Sequence, residues 1–222
     1  MDERLKKWLL PVLFLSFLSG CASVPLQYEH PTSSKSSTTE LRVALTYPVD
    51  QRPDKEAIDS VLQKNPVDDL SKIMVEEVES MGLFKEVVPI AKEMPIDKVP
   101  EVCRDADLVM DSCLKKLSWE VPDYEQKQAA AFVSGFAFGI VGGMIYGMTK
   151  TDVYGNANLR VTLVRQSTGE TLIDKDYVVH IADNVAKINC DTPEMRSKMA
   201  GKAIKAVMEK LKADLANTVQ TM

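Results

Sequence analysis

Apolar and polar residues alternate along several short stretches of the chain, and each of these stretches predicts a half-buried strand. The first stretch runs from Leu41 to Tyr47, and Pro48 ends it. The later predicted strands cover residues 85–90, 107–121, 159–165 and 171–181. The last two are separated by Ser167-Thr168-Gly169-Glu170, which favours a hairpin.

Two helices are predicted from apolar residues that recur every three or four positions. The first carries Leu70, Ile73, Met74, Val78 and Met81 on one face. Asp68 or Asp69 can cap its start, and Gly82 can end it in a left-handed conformation. The second starts at Thr192-Pro193, and its buried stripe is Met195, Met199, Ile204, Val207, Met208, Leu211 and Leu215. We expect the lysines of the second helix, and the acidic pair Glu76-Glu77 on the first, to be solvated.

The order of elements is strand, helix, strand, strand, insert, hairpin and helix. This order predicts an α+β domain over residues 41–218, with a single mixed sheet flanked by helices. A glycine-rich apolar insert at residues 121–152 interrupts the domain between two strands.

The N-terminus has the properties of a secretory signal. A basic start is followed by the apolar run 8–18, which is too short to span a bilayer. The run ends in Leu18-Ser19-Gly20-Cys21, which resembles the lipobox of bacterial lipoproteins. The resemblance implies removal of residues 1–20 and lipidation of Cys21; the alternative is a plain signal peptide with an accidental cysteine. Ala22, where inner-membrane retention would favour Asp, points to the outer membrane and a periplasmic body.

Residues 21–40 are predicted to be a lipidated flexible tether. Most of this prediction comes from the run 31–40, which is nearly all Ser and Thr and offers little to bury. Such a tether would lift the folded body off the membrane.

The folded part also resembles a group of envelope proteins. The likeness rests on Gly82-Leu83-Phe84 after a capped helix, on Ala106-Asp107-Leu108-Val109, and on the hairpin with its Ser167-Thr168-Gly169-Glu170 turn. These features resemble the small periplasmic domain of outer-membrane lipoproteins, such as the curli secretion lipoprotein, the activators of penicillin-binding proteins and the amino-terminal domain of TolB. The likeness covers residues 41–120 and 153–216. It implies an α+β architecture and does not identify a binding partner.

The insert contains an uncharged segment at residues 129–148. Gly135, Gly139, Gly143 and Gly147 recur every fourth residue, so on a helix they form a ridge where another helix can approach closely. Twenty helical residues also span about 30 Å, the thickness of the hydrocarbon core. A helical hairpin would enter and leave the membrane on one side.

Two other interpretations of the insert remain open. Large and small residues alternate between 131 and 140, so a strand hairpin could join an oligomeric barrel. The segment could also be buried in the domain core. We expect membrane insertion or self-association, because an exposed apolar stretch of this size is not tolerated on a soluble monomer.

Charge and motifs exclude several functions. Without residues 1–20 the chain keeps 24 basic and 30 acidic side chains, a net charge of −6. An acidic body of this kind lacks the excess of Lys and Arg that nucleic-acid binding requires. No nucleophile, phosphate-loop, dinucleotide or zinc motif occurs, so we expect no enzyme, cofactor or metal site. His30 and His180 are too few for catalytic or metal chemistry, and pairing among Cys103, Cys113 and Cys190 is left open.

The expected function is that of a non-enzymatic envelope component. It would be held on a membrane through its N-terminal lipid and residues 129–148, and it would self-associate or dock on an envelope partner. The alternative is an oligomeric outer-membrane secretion or transport pore formed by the insert.

Overall fold

The computed structural model describes residues 23–32, 37–92, 99–123 and 148–222. The strands in chain order are β1 (Arg42–Leu45), β2 (Val49–Asp50), β3 (Glu86–Pro89), β4 (Leu108–Glu120), β5 (Lys150–Arg165) and β6 (Glu170–Ala186). The helices are α1 (Glu56–Asp59), α2 (Pro66–Ser80), α3 (Val99–Arg104) and α4 (Pro193–Gln220), and a short 3-10 helix at Lys187–Asn189 precedes α4.

All six strands form one mixed sheet with the order β3-β1-β4-β5-β6, and β2 pairs with β4. The pairings among β1 to β4 are parallel, whereas β4, β5 and β6 run antiparallel to one another. The predicted α+β class and single mixed sheet are therefore confirmed.

The N-cap of helix α2 is Asn65, three residues before the first predicted cap, Asp68. The Asn65 side chain accepts a hydrogen bond from the backbone N–H of Val67, and Pro66 occupies the first turn. The prediction of Asp68 or Asp69 as the cap was therefore wrong. The end of the helix follows the prediction, because Gly82 has φ of +62° just beyond it.

The hairpin of β5 and β6 is longer than the alternation predicted. The two strands pair from Arg165 and Glu170 at the turn to Lys150 and Ala186 at the far end. Residues 150–158 are rich in Asp, Asn, Lys and Gly, which are depleted in strands, so their own propensity does not mark a strand. Pairing with β4 on one side and β6 on the other sets their conformation.

The main core lies on one face of the sheet, where α2 and α4 pack against it. Most of the predicted stripe of α4 is buried there: Met199, Ile204, Val207, Met208, Leu211 and Leu215. A smaller cluster of Ala44, Ile90 and Ala106 packs with Cys103 of α3. Thr192 caps α4 as predicted, accepting a hydrogen bond from the N–H of Met195.

The segment before β1 departs most from prediction. Residues 23–32, expected to be a flexible tether, lie against the folded body: Val24 forms a parallel bridge with Leu62, and Tyr28 is 9% exposed. Thr38 and Thr39 donate hydrogen bonds to the carbonyls of Gly82 and Leu83. The prediction weighed the Ser/Thr run, whereas the apolar residues that precede it, Val24, Leu26 and Tyr28, hold residues 23–32 against the body.

Candidate functional site

The candidate site is the contact between residues 23–32, which we call the strap, and helices α2 and α4. Ser197, Gly201 and Lys205 follow one another at four-residue intervals along α4 and therefore lie on one face of it. The Ser197 hydroxyl is fully buried; it donates to the carbonyl of Pro25 (2.7 Å) and accepts from the N–H of Gln27 (2.9 Å). One side chain of α4 thus satisfies two backbone groups of the strap.

Gly201 lets the strap touch the helix backbone. A Cβ at this position would lie 1.8 Å from the carbonyl oxygen of Gln27, far inside van der Waals contact. A glycine within a helix costs about 1 kcal/mol relative to alanine. The close approach of the strap gives a physical reason for glycine here.

Glu77 of α2 joins the strap to both helices. Its side chain is 1% exposed, and its carboxylate accepts hydrogen bonds from the Tyr28 hydroxyl (2.5 Å), Lys205 Nζ (3.1 Å) and Lys212 Nζ (2.7 Å). Lys205 also donates to the carbonyl of Glu29 (3.0 Å) and lies over the Tyr28 ring. A buried carboxylate needs such partners, because an unpaired one would be strongly destabilising.

The ionisation of this cluster follows from its contacts. Burial alone would raise the pKa of Glu77, but hydrogen bonds from Lys212, Tyr28 and Lys205 outweigh burial and lower the pKa below 4.5. Burial, and then the hydrogen bond to Glu77, raise the pKa of Tyr28. Glu77 is therefore an anion and Tyr28 a neutral donor at neutral pH.

Sequence reasoning missed this cluster. It predicted that Glu77 and the lysines of α4 would be solvated, and this was wrong for Glu77; Lys205 and Lys212 keep only about 30% of their side chains exposed. The partners are separated by 49 to 135 residues, so no local spacing could pair them. The available signal was the apolar group Val24, Leu26 and Tyr28, which precedes the Ser/Thr run.

A second contact lies where the insert leaves the sheet. Trp119 of β4 pairs with Gly155 of β5, and a Cβ at Gly155 would lie 2.5 Å from the carbonyl oxygen of Met199. The Arg196 guanidinium lies 4.5 Å from the Trp119 ring centroid. Val121, Val153, Cys190 and Met199 form a separate apolar cluster around this contact. The first two turns of α4 therefore pack on the insert end of the sheet.

The first residues of the strap and the insert meet the body at the same end. The chain leaves β4 after Glu120, which is opposite Tyr154, and returns into β5 at Lys150. Ala186, the last residue of β6, pairs with Lys150, and α4 starts shortly afterwards. Because the same two turns of α4 also hold Pro25 and Gln27, the strap lies across α4 from the two strand ends that carry the insert.

The site residues predicted from sequence are not among those that the structure describes. Cys21, Gly135, Gly139, Gly143 and Gly147 are all outside the described residues. Within the described ranges, no helix has the length and apolar character needed to cross a bilayer.

The remaining candidate residues have separate surroundings. His180 hydrogen-bonds to Asn156 and stacks on Tyr154 at 4.7 Å, while His30 contacts Glu76. In the described ranges, no three His, Cys, Asp or Glu side chains converge as metal ligands would. Cys103 and Cys113 are free thiols, and Cys190 is buried in the cluster at the insert end.

Comparisons with known proteins relate the chain to others by fold. No family model matches it, and no curated protein matches its sequence. A Xanthomonas campestris protein of the DUF330 family aligns with a TM-score of 0.55 and 9% identity, over 90% of this chain and 98% of that one. A neuraminyllactose-binding hemagglutinin homologue from Helicobacter pylori gives 0.52 and 16%, over 89% and 98%. A hypothetical protein from Chlamydia trachomatis gives 0.50 and 10%, over 83% and 100%. At these identities the likeness concerns the fold alone.

Proposed function

We propose that this chain is a lipid-anchored, non-enzymatic component of the bacterial envelope, held by Cys21 on the periplasmic face of the outer membrane. The lipobox Leu18-Ser19-Gly20-Cys21 supports the anchor, and Ala22 supports the outer membrane. The absence of catalytic motifs from the sequence supports a binding role.

One observation supports the proposal most directly: the first residues of the strap and both ends of the insert meet the body at one end of the sheet. Only four residue steps separate Cys21 from Pro25, a reach of at most about 14 Å. A lipid on Cys21 would therefore hold the insert end against the bilayer. The lipobox and the apolar segment were identified independently in the sequence. Under this proposal, both would contact the same membrane.

The insert is the proposed contact for association. It connects two neighbouring antiparallel strands, so its two ends lie side by side. This favours a hairpin that enters and leaves the membrane on one side. In the helical form, the row Gly135, Gly139, Gly143 and Gly147 would be the surface that a second copy or an envelope partner approaches. The same connection suits a strand hairpin, which is the pore alternative.

Crosslinking in native membranes tests this proposal. Gly139→Leu and Gly143→Leu should abolish the crosslinked species if the glycine row is a helix contact, because leucine keeps the backbones apart. Phe136→Leu, on another helix face, is the matched control and should crosslink like wild type. If Ala137→Leu is as damaging as Gly139→Leu, the insert is a strand, because the two residues share a face only there.

Two further outcomes would contradict the proposal. If leucine at Gly139, Gly143, Phe136 and Ala137 left crosslinking equally unchanged, the insert would have no role in association. The anchor is checked in the same membranes with Cys21→Ser, which cannot form the thioether and should remain an unprocessed precursor. Normal cleavage and membrane retention of this variant would exclude lipidation at Cys21.

A further inference from the structure

We propose that β6 is a docking strand, to which an extended segment of an envelope partner adds through the backbone of residues 174–182. β6 is the last strand in the sheet order, so only one of its two edges pairs with a neighbouring strand. A free strand edge carries a row of backbone donors and acceptors, and an extended chain that binds there continues the sheet. This inference goes beyond the proposed function and rests on it at one step, the choice of partner.

The register with β5 decides which backbone groups of β6 face outward. The N–H of Lys187, just after β6, donates to the carbonyl of Thr149 on the β5 side. The pairing keeps one register from there back to Ile173, so odd-numbered residues of β6 face β5 and even-numbered residues face away. The carbonyl of Val178 agrees with this alternation, because it accepts a hydrogen bond from Lys210 of α4 (2.9 Å).

Most of these outward backbone groups have no partner. The carbonyl of Val178 is capped by Lys210, and the N–H of Asn184 is capped by the neighbouring Asp183 carboxylate (3.0 Å). Over residues 174–182, no hydrogen bond from the described part of the chain reaches an even-numbered N–H group. The edge is also open to solvent at its centre, where Val178 is 59% exposed.

The charges of β6 do not protect this edge. Asp174 pairs with Arg160 and Asp176 pairs with Lys115, so cations on β5 and β4 neutralise both carboxylates and hold them toward the middle of the sheet. The opposite edge of the sheet is different. There β3 has only four residues and ends at Pro89, which has no N–H to offer. Of these two edges, β6 is the one that can accept another strand.

The geometry favours a different chain over a second copy as the partner. Two copies paired through β6 would be related by a two-fold axis, and their β6 strands would run antiparallel. With Val178 at the centre, the insert ends would lie roughly 50 Å apart at opposite ends of the joined sheet. Only one of them could then face the bilayer under the proposed anchor. Pairing of β6 with β3 of a second copy would involve only the four residues of β3.

The surroundings of the edge specify the chemistry of the segment. Lys210 forms no ion pair with the described carboxylates, and its ammonium donates to the Val178 carbonyl. Lys202 and Lys175 lie along the same side, with 45% and 56% of their side chains exposed. An incoming backbone N–H would replace Lys210 at the carbonyl, and the freed ammonium would bind a carboxylate of the segment. The expected partner segment is therefore extended, free of proline, and acidic on the side that faces α4.

A synthetic peptide serves as the probe for such a segment. It has nine residues and blocked termini, and consists of threonine with two valines and a central glutamate. Hydrogen exchange is measured on the full-length lipidated protein in nanodiscs. At saturating peptide, the amides of Val178 and His180 should exchange about tenfold more slowly or less, whereas those of Tyr177 and Val179, which face β5, should not change. The same peptide with three N-methylated central residues is the control and should protect none of them.

Val178→Pro tests the backbone contact directly. It removes one outward N–H and leaves the β5 side intact, because an edge strand tolerates proline where the N–H faces solvent. Peptide affinity should fall about tenfold or more, as for loss of a ladder hydrogen bond. Val178→Thr has nearly the same shape and keeps the N–H, so it should bind like wild type. Unchanged exchange at Tyr177 and Val179 shows that β6 remains paired in both variants.

Lys210→Gln tests the proposed chemistry of the segment. It should weaken binding of the glutamate peptide about twofold to fivefold, the range of an exposed ion pair. A peptide with glutamine in place of glutamate should bind wild type and Lys210→Gln equally.

Three outcomes would overturn the proposal. Even-numbered amides that stay unprotected at the highest peptide concentration, or equal affinity of Val178→Pro and wild type, would show that the edge accepts no strand. Protection that appears without peptide and rises with protein concentration would place a second copy there instead. A failed anchor is recognised separately, because the chain would then not enter nanodiscs, while the exchange pattern could still be measured in detergent.

Discussion

Two sets of ion pairs in this protein use the same chemistry in opposite surroundings. Glu77 lies 1% exposed between α2, α4 and the strap, and three donors from two other elements converge on it. On the opposite, open face of the sheet, Arg160 and Asp174 form a two-bond pair at 2.9 Å, with 46% and 44% of their side chains exposed. Distances are similar in the two sets, so exposure decides what each set contributes.

The open-face pair lies between neighbouring strands that the backbone already joins. Glu77, by contrast, joins parts of the chain that no backbone ladder connects: the strap, α2 and α4. We therefore expect substitutions at Glu77 to affect both stability and strap docking, and substitutions on the open face to affect neither.

The largest effect is expected from Glu77→Ala. Removing the carboxylate leaves the Tyr28 hydroxyl, Lys205 and Lys212 without their common acceptor, so the free energy of unfolding should fall by about 3 kcal/mol. Glu76→Ala is the matched control. Glu76 is the neighbouring carboxylate on the same helix, but it pairs with His30 at the surface, and 44% of its side chain is exposed. Urea denaturation followed by circular dichroism measures both variants. Equal losses for the two would contradict the distinction by burial.

A graded effect is expected on acidification. Because the folded protein lowers the pKa of Glu77, its stabilisation is fully present above pH 4.5 and is lost as pH falls through the lower, folded-state value. The difference in urea midpoint between wild type and Glu77→Gln isolates this group from the other carboxylates. That difference should be constant between pH 5 and 7 and should shrink below about pH 4.5. A difference that grew on acidification would contradict the assigned charge state.

The smallest effect is expected from Asp174→Asn. The hydrogen bonds from Arg160 lower the pKa of Asp174, but both side chains are solvated and water replaces the lost partner. The urea midpoint should stay within error of wild type, as should the exchange rates of the strap amides. A clear loss of stability would show that the open face is covered by something in the folded protein.

The sequence by itself determined most of the secondary structure. Alternation marked β1 and the core of the hairpin, Thr192-Pro193 marked the start of α4, and Gly82 marked the end of α2. These signals are local: they depend on spacing within one element, on a capping side chain or on a backbone angle that glycine permits. The lipobox-like quartet at 18–21 and the apolar insert are local patterns of the same kind, and they remain predictions from the sequence.

Only the tertiary structure decided that the strap packs against the body and that the polar residues holding it are buried. Whether Tyr28 is buried depends on Glu77, Ser197 and Lys205, which lie 49 to 177 residues away in the sequence. Gly201 looks like a weak point in a helix until the backbone of Gln27 is placed against it. A polar side chain is solvated by default and becomes buried only where donors and acceptors from distant elements converge on it, and that convergence is a property of the packed chain.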